Sequence, residues 1–313
     1  MLLDRPIRCA TGLTIAGREA AATIDTTLRV TAPGPVATPG GPAIEAQLDG
    51  GVVWRRHWTV PGGMVVEFVD VARVAVADPS DDGRGGTVTF DRDLDPEQEE
   101  HLVFDHVLPL VLARRGNLVL HGGVISRHGR GVVLVGNSGA GKSTLTGYAW
   151  RRGWTVGGDD GAVISTGRPG ERAPTAEPTY PTLRLTPSAA DLLGIDAAGT
   201  SPIVGKLRVD ERAVPDGPAF LGEPVPLTAV VIVEPARGTS AVLDELSGFD
   251  AHAELFGSTF HADFSAGDQL PAVVRDLASI VEDTTVTRLQ VPRGRIGLEA
   301  AETALRALVE RSR

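Results

Sequence analysis

The strongest chemical signal in the sequence is a run of nine consecutive residues: Gly136-Asn137-Ser138-Gly139-Ala140-Gly141-Lys142-Ser143-Thr144. The run fits the pattern G-x-x-x-x-G-K-[ST]. Glycines let backbone N–H groups wrap a phosphate, a lysine brings positive charge to the β- and γ-phosphates, and a serine hydroxyl can bind Mg²⁺. These residue types therefore indicate recognition of a nucleoside triphosphate together with Mg²⁺.

The residues on either side of this run predict the strand and the helix that such a loop needs. Residues 131–135 are apolar and predict a short buried strand, and residues 143–152 predict a helix that Gly153 ends. The positive end of the helix dipole would then face the phosphates. A glycine turn that happens to contain a lysine is the weaker alternative. We therefore assign residues 136–144 to nucleotide binding, with Lys142 also acting in catalysis and Ser143 binding Mg²⁺.

Two adjacent carboxylates, Asp159 and Asp160, follow the predicted helix. Phosphoryl transfer to a hydroxyl uses one carboxylate to accept the proton and another to hold the metal ion. We expect the strand that leaves the helix to run beside the strand that precedes the loop, so that its end brings both carboxylates to the γ-phosphate. The alternative is that Asp-Asp-Gly forms an ordinary turn between two strands.

Composition limits the class of protein. The chain has 313 residues, of which 42% are hydrophobic and 22% are charged, enough for one large globular domain or two smaller ones. The net charge of −10 argues against a nucleic-acid partner. A single cysteine, Cys9, excludes an internal disulfide, and neither a signal peptide nor a membrane-spanning apolar run is visible. We expect a cytoplasmic protein with no membrane partner.

The first 90 or so residues differ from the rest, because short alternating apolar pieces are separated by glycine and proline. This pattern predicts a β-rich domain over residues 1–93, for which we expect a role in selecting the acceptor. Trp54 and Trp58 lie in it, and they are interpreted as core residues or else as contacts for a partner. A helix beginning at Pro96 opens an α/β nucleotide-binding domain over residues 94–313. Homo-oligomer formation is left open.

The order of these features resembles the catalytic core of the HPr kinase/phosphorylase family. His121-Gly122 begins fifteen residues before Gly136, and Asp159 lies seventeen residues after Lys142. The most similar pattern is that of HPr-kinase-like proteins that modify peptide natural products, such as lasso-peptide tailoring kinases. Those proteins share a Leu-His-Gly strand and a Tyr-Pro-x-Leu-Arg-Leu element, here residues 180–185. The resemblance covers roughly residues 96–300.

The resemblance implies a PEP-carboxykinase-like α/β nucleotide fold that contains the P-loop. It also implies phosphorylation of a serine hydroxyl with ATP and Mg²⁺, on a peptide or protein acceptor such as a ribosomal precursor of a peptide natural product. Asp159 would be the catalytic base, Asp160 a carboxylate on the metal side, and His121 a neighbour that tunes the pair. Without the resemblance, His121 is interpreted as a structural histidine.

The sequence departs from true HPr kinases after the aspartate pair. Their glycine-rich, arginine-containing signature, which serves phosphorolysis, is absent, and Glu177-Pro178-Thr179-Tyr180-Pro181 occupies the region instead. We therefore expect neither HPr as the acceptor nor phosphorylase activity. Glu177 is a candidate contact to metal, substrate or phosphate, or else an ordinary loop glutamate. Lys206 is a candidate contact to substrate or phosphate, or else a surface lysine.

Other classes of nucleotide-binding protein fit less well. A GTPase needs an Asn/Thr-Lys-x-Asp motif, and neither Asn117 nor Asn137 belongs to one. A transport ATPase needs a Ser-Gly-Gly signature and an apolar strand that ends in Asp-Glu. The apolar run before Glu234-Pro235 is the other candidate for such a strand, and we interpret the proline as its end. The alternatives that stay open are a catalytically silent or regulatory ATP-binding module and a kinase of a small-molecule hydroxyl.

Overall fold

A computed structural model describes most of the chain. The described residues are 5–8, 27–47, 51–78, 85–166, 173–180, 183–195, 198–201, 205–209, 218, 220–260 and 270–311. Cys9 lies outside them. Contacts divide the chain into two units, Met1–Glu99 and Glu100–Arg313. The functional roles expected of the two predicted domains stay predictions.

The first unit is built around one seven-stranded sheet. Its strands are β1 (Arg5–Arg8), β2 (Thr27–Val30), β3 (Ile44–Gln47), β4 (Val53–Val60), β5 (Gly63–Phe68), β6 (Ala72–Ala77) and β7 (Gly85–Phe90). The order across the sheet is β1-β2-β7-β6-β5-β4-β3. Strands β3 to β7 form an antiparallel meander, and β2 joins it by pairing parallel to β7. Alternation of apolar residues, with short turns between strands, accounts for this arrangement.

One face of this sheet is covered by a small apolar cluster around Trp58. The indole packs with Val36 and Val65 and is 8% exposed. Trp54 is half-buried, and its ring centroid lies 6.2 Å from that of Phe68. Trp58 is therefore a core residue, which is the first of the two interpretations given above.

The described residues of the second unit form twelve strands in two sheets. They are β8 (Leu118–Leu120), β9 (Gly122–Arg127), β10 (Arg130–Val135), β11 (Thr155–Gly158), β12 (Ala162–Ser165), β13 (Thr175–Glu177), β14 (Leu183–Leu185), β15 (Ala198–Ser201), β16 (Lys206–Val209), β17 (Val225–Ala236), β18 (Val242–Leu246) and β19 (Thr285–Pro292). The larger sheet contains the row β11-β9-β10-β17-β19-β18, and a branch β13-β12-β8 starts from the first residues of β17. The smaller sheet has the order β14-β16-β15.

Helices pack on both faces of the larger sheet. The helices are α1 (Pro96–Leu102), α2 (Leu108–Arg114), α3 (Lys142–Arg151), α4 (Pro187–Leu193), α5 (Gly248–Gly257), α6 (Leu270–Asp283) and α7 (Arg295–Arg311). Val132 and Leu134 of β10 belong to a cluster with residues of α3 and α7, and Val133 and Val135 belong to a cluster with residues of α5 and α6. A strand buried on both faces is a continuous apolar run, as β10 is from Gly131 to Val135. The unit therefore has a mixed, three-layered α/β architecture.

The helix predicted from Pro96 contains an irregularity that the sequence did not indicate. A π-helical turn, Val103–Val107, separates α1 from α2. Such a turn adds a residue to the helix and changes the direction of the side chains that follow; it occurs often near functional sites. Among the helices described here, none is both long and apolar enough to cross a membrane.

The position of β11 differs from the prediction. We expected it to lie beside β10, but β9 lies between them, antiparallel to both. The reason is the two-residue turn at His128 and Gly129, which both have positive φ and which fold β9 directly onto β10. Since β9 is antiparallel to both neighbours, β10 and β11 still run in the same direction and end at the same edge of the sheet. That edge is called the loop edge below.

The interpretation of Pro235 as the end of a strand is wrong. Strand β17 continues through Pro235 to Ala236, with Pro235 opposite Val291 of β19. Its pairing with β10 stops earlier, at Ile232. At Pro235, therefore, β17 pairs with β19 but no longer with β10. A proline, which has no N–H to donate, is tolerated at such a position.

Candidate active site

The nine-residue motif forms the connection from β10 to α3 at the loop edge. Strand β10 ends at Val135, and α3 begins at Lys142. Gly136 has a φ of 138°, and a Cβ at this position would lie 2.5 Å from the backbone oxygen of Val233 in β17. Both the positive φ and the close approach require glycine. The motif thus lies in the strand–loop–helix setting that phosphate binding needs.

Lys142 is folded into this loop. Its ammonium donates hydrogen bonds to the carbonyl oxygens of Gly136, at 2.7 Å, and Asn137, at 3.2 Å, and the residue is 6% exposed. Burial lowers the pKa of Lys142, and the negative charges of Asp160 and Asp159 oppose that effect. The loop therefore holds a buried cation next to two carboxylates.

The aspartate pair follows β11 at the same edge. Gly158 has a φ of 155°, and a Cβ there would lie 2.1 Å from Thr179 Oγ1. The backbone N–H of Thr179 donates to Gly157 O at 2.8 Å. This close approach, which again requires glycine, fixes the end of β11 against the chain at Thr179 and so fixes the start of the pair.

Asp159 has one anchored carboxylate oxygen and one free oxygen. Oδ2 accepts a hydrogen bond from the backbone N–H of Arg184 at 3.2 Å. Oδ1 is buried and has no hydrogen-bond partner in the described part of the chain. Burial, and then the charge of Asp160, raise the pKa of Asp159 to about 7, while the nearby Ser143 hydroxyl is among the groups that lower it. A held carboxylate with a free oxygen and a raised pKa can accept a proton near neutral pH.

Asp160 has the opposite electrostatic environment. Burial alone would raise its pKa, but the charges of Lys206, His121, His106 and Lys142 hold it down at about 2. Lys206 Nζ lies 3.8 Å from Asp160 Oδ2. The two adjacent aspartates therefore differ, because one is readily protonated and the other stays ionised. An ionised oxygen ligand is what Mg²⁺ prefers.

His121 lies between β8 and β9, next to the pair. Its backbone N–H donates to Ser258 O at 2.6 Å, and its ring meets Phe260 edge-on with 5.6 Å between ring centroids. Burial, followed by the charge of Lys142, lowers the pKa of His121 to about 4, and the imidazole also hydrogen-bonds the main chain of Asp160. His121 is thus a largely neutral side chain near pH 7.

The structure brings six of the predicted site residues together: Lys142, Ser143, Asp159, Asp160, His121 and Lys206. Glu177 is held elsewhere on its own strand, where it accepts hydrogen bonds from Thr175, at 2.9 Å, and from Ser165. In the described ranges, no group of three or more His, Cys, Asp or Glu side chains is arranged to hold a metal ion.

Two buried residues next to the pair were missed by the sequence reasoning. Arg184 and Asp105 are 2% and 0% exposed, and Arg184 Nε lies 2.6 Å from Asp105 Oδ2. Arg184 belongs to the Leu-Arg-Leu segment, whose alternation predicts an arginine on the exposed face of a strand, so its burial was not indicated by the sequence. Asp105 lies among the apolar positions of a predicted helix, four residues after His101, and that spacing was the signal available.

No family model matches the chain, and a search of the curated proteins finds no match. Among solved structures, the chain is similar to the Hpr(Ser) kinase/phosphatase from Coxiella burnetii, with a TM-score of 0.33 and 12% sequence identity over 62% of this chain and 97% of that chain. A similarity at this level carries no argument about activity. The geometry of the site is what supports a function.

Proposed function

We propose that the chain is an ATP-dependent kinase that uses Mg²⁺ and transfers the γ-phosphate to a serine hydroxyl of a peptide or protein acceptor. The observation that carries this proposal is Asp159, a buried carboxylate with a free Oδ1 and a raised pKa, close to Ser143 at the start of α3. A protein that only bound a nucleotide would have no use for a proton acceptor in this position.

The proposed step is the transfer of the γ-phosphate from ATP to the acceptor hydroxyl. The acceptor hydroxyl gives its proton to Asp159 Oδ1 while its oxygen forms a bond to the γ-phosphorus. The bond between the γ-phosphorus and the oxygen that bridges to the β-phosphate breaks, and ADP leaves with that electron pair. The hydrogen bond from the Arg184 N–H to Oδ2 keeps the carboxylate oriented, so that Oδ1 faces the acceptor.

The remaining residues have roles in binding and charge. Residues 136–144 surround the triphosphate, and Lys142 supplies the charge nearest to the β- and γ-phosphates. Ser143 and Asp160 offer the hard oxygen ligands of a Mg²⁺ site, and Mg²⁺ bound there neutralises charge on the phosphate oxygens. Lys206 keeps Asp160 ionised, and His121 hydrogen-bonds the main chain of Asp160. We infer that His121 acts through Asp160.

The acceptor is inferred less directly. A precursor of a peptide natural product is supported by the resemblance of residues 180–185 and of the Leu-His-Gly strand to lasso-peptide tailoring kinases. A role of the first unit in acceptor selection is supported by its own sheet and its own apolar cluster. Removal of residues 1–93 should then lower acceptor phosphorylation more than slow ATP hydrolysis.

Transfer of radiolabel from γ-labelled ATP to serine-containing peptides tests the proposal. Candidate acceptors are peptides encoded beside the gene for this chain, each with a matched control in which serine is replaced by alanine. Label should enter the serine peptide and not the alanine peptide, and it should depend on Mg²⁺. Binding of ATP without transfer to any peptide or protein would favour the silent module, and transfer to a small-molecule hydroxyl would favour the other alternative.

A further inference from the structure

The buried carboxylate of Asp105 connects three elements of the second unit. It lies in the π-helical turn between α1 and α2, and its Oδ2 is 2.5 Å from His101 Nδ1 and 2.6 Å from Arg184 Nε. Arg184 lies on β14, and its side chain is as buried as that of a core leucine. Asp105 is therefore the main negative charge that compensates a buried guanidinium.

A second acidic residue extends these contacts to β16. Glu100 accepts hydrogen bonds from Arg208 at 2.9 Å, and it lies 4.0 Å from Arg184 Nη2. Arg208 is paired directly with Arg184 in the register of β14 and β16. The ion pairs thus tie the helical segment, β14 and β16 to one another. We call Glu100, His101, Asp105, Arg184 and Arg208 the ion network.

Both strands held by this network also contact the aspartate pair. On β14, the backbone N–H of Arg184 is the donor to Asp159 Oδ2. On β16, Lys206 is the cation next to Asp160. One set of ion pairs therefore fixes a hydrogen-bond donor for the first aspartate and a positive charge for the second.

We propose that Asp105 is a positioning residue for the phosphate-transfer site, and that it acts through Arg184. The inference rests on the proposed kinase function. Asp105 does not touch a reacting atom; it holds the Arg184 side chain, and that side chain holds the backbone donor that orients Asp159. Without this carboxylate the buried guanidinium has lost its main partner, and β14 shifts to give it another. A small displacement of an oriented base is costly for transfer.

The first variant for testing this is Asp105→Asn, which keeps the size of the side chain and removes its charge. We expect kcat for phosphate transfer to fall by about tenfold or more, and KM for ATP to stay within about twofold. The matched control is Glu302→Gln. Glu302 is also buried, at 2% exposed, and it accepts hydrogen bonds from Trp154 and Arg306 on α7, outside the network. This control should lose stability but keep kcat per folded molecule.

A second variant separates positioning from stability. The paired replacement of Asp105→Leu with Arg184→Met removes both charges, and replacement of a whole buried ion pair commonly costs little stability. We expect the thermal midpoint to recover relative to Arg184→Met alone, while kcat stays low. Recovery of the parent kcat in the pair, or a fall in Asp105→Asn no larger than in Glu302→Gln, would overturn the proposal.

A readout that does not need phosphate transfer distinguishes this proposal from the proposed function. Hydrogen exchange of the Arg184 backbone amide should accelerate by about tenfold or more in Asp105→Asn and not in Glu302→Gln. If the parent protein transfers no phosphate, the kinase proposal fails, and the exchange rate still decides whether Asp105 holds that amide. Unchanged exchange in Asp105→Asn would contradict the positioning role.

Discussion

The loop of residues 136–144 and the aspartate pair lie at one edge of the same sheet, but the chain builds them in different ways. The loop is contiguous: its backbone conformation, its glycines and the Lys142 contacts to Gly136 and Asn137 all lie within nine residues. The pair depends on distant residues, since Arg184 anchors Asp159 and Lys206 lies beside Asp160.

This difference shows that two kinds of preorganisation meet at the site. The loop obtains its shape from local backbone geometry and is suited to binding a phosphate chain whose form is constant. The pair obtains its charge states from burial and from neighbours on other strands, which is how a protein gives adjacent carboxylates different pKa values. Binding and transfer should therefore respond separately to mutation.

The largest expected effect is on transfer, in Asp159→Asn. The amide keeps the shape of the side chain but cannot accept the acceptor proton, so the rate of phosphate transfer should fall by about a hundredfold or more. Single-turnover transfer from labelled ATP measures this. Asp283→Asn is the matched control, because Asp283 ends α6 beside the start of β19, at the opposite edge of the sheet, and should transfer at the parent rate. If Asp159→Asn transfers phosphate as fast as Asp283→Asn, the aspartate pair has no role in transfer and forms only a turn.

The next largest effect is on nucleotide affinity, in Lys142→Ala. Loss of a charged donor inside the loop should weaken binding of a fluorescent ATP analogue by about tenfold to a hundredfold. Arg311→Ala serves as the control and should bind like the parent, because it removes an exposed positive charge at the end of α7, near the start of β10 and away from the loop edge. If Lys142→Ala and the parent bind the analogue with equal affinity, the loop does not take part in nucleotide binding.

A smaller effect concerns Mg²⁺, in Asp160→Asn. A neutral amide is a poorer ligand for a hard cation, so the Mg²⁺ concentration for half-maximal transfer should rise by about threefold or more. A magnesium titration of the transfer rate, with Asp283→Asn beside it, checks this. If the Mg²⁺ concentration for half-maximal transfer is unchanged, Asp160 does not bind the metal ion.

The smallest effect is a dependence on pH. Asp159 must be ionised to accept a proton, and its pKa is raised by burial and then by Asp160 to about 7. The rate of transfer should therefore fall as the pH is lowered through about 7. In Asp160→Asn the fall should move to lower pH, since one of the causes of the raised pKa is gone. A fall at the same pH in both proteins would contradict the coupling between the two carboxylates.

The strand and the helix on either side of residues 136–141 form where the sequence predicted them, whereas the contacts between distant residues were not predicted. The loop could be located because G-x-x-x-x-G-K-[ST] fixes backbone geometry within the motif itself. The place of β11 was not predicted, because in the hairpin of β9 and β10 it is β9 that pairs with the strand following α3. The network at Arg184 and Asp105 joins residues 79 positions apart through a π-helical turn, and short-range patterns carry no information about such a contact.

The affinity of Asp159→Asn for ATP tests most directly whether binding lies in the loop and transfer in the pair. The measurement is a titration with the fluorescent ATP analogue, at a fixed Mg²⁺ concentration, of the parent, Lys142→Ala and Asp159→Asn. The account predicts that Asp159→Asn binds within about twofold of the parent, because in the proposed role Asp159 acts on the acceptor hydroxyl and not on the phosphates. A loss of affinity as large as that of Lys142→Ala would contradict it.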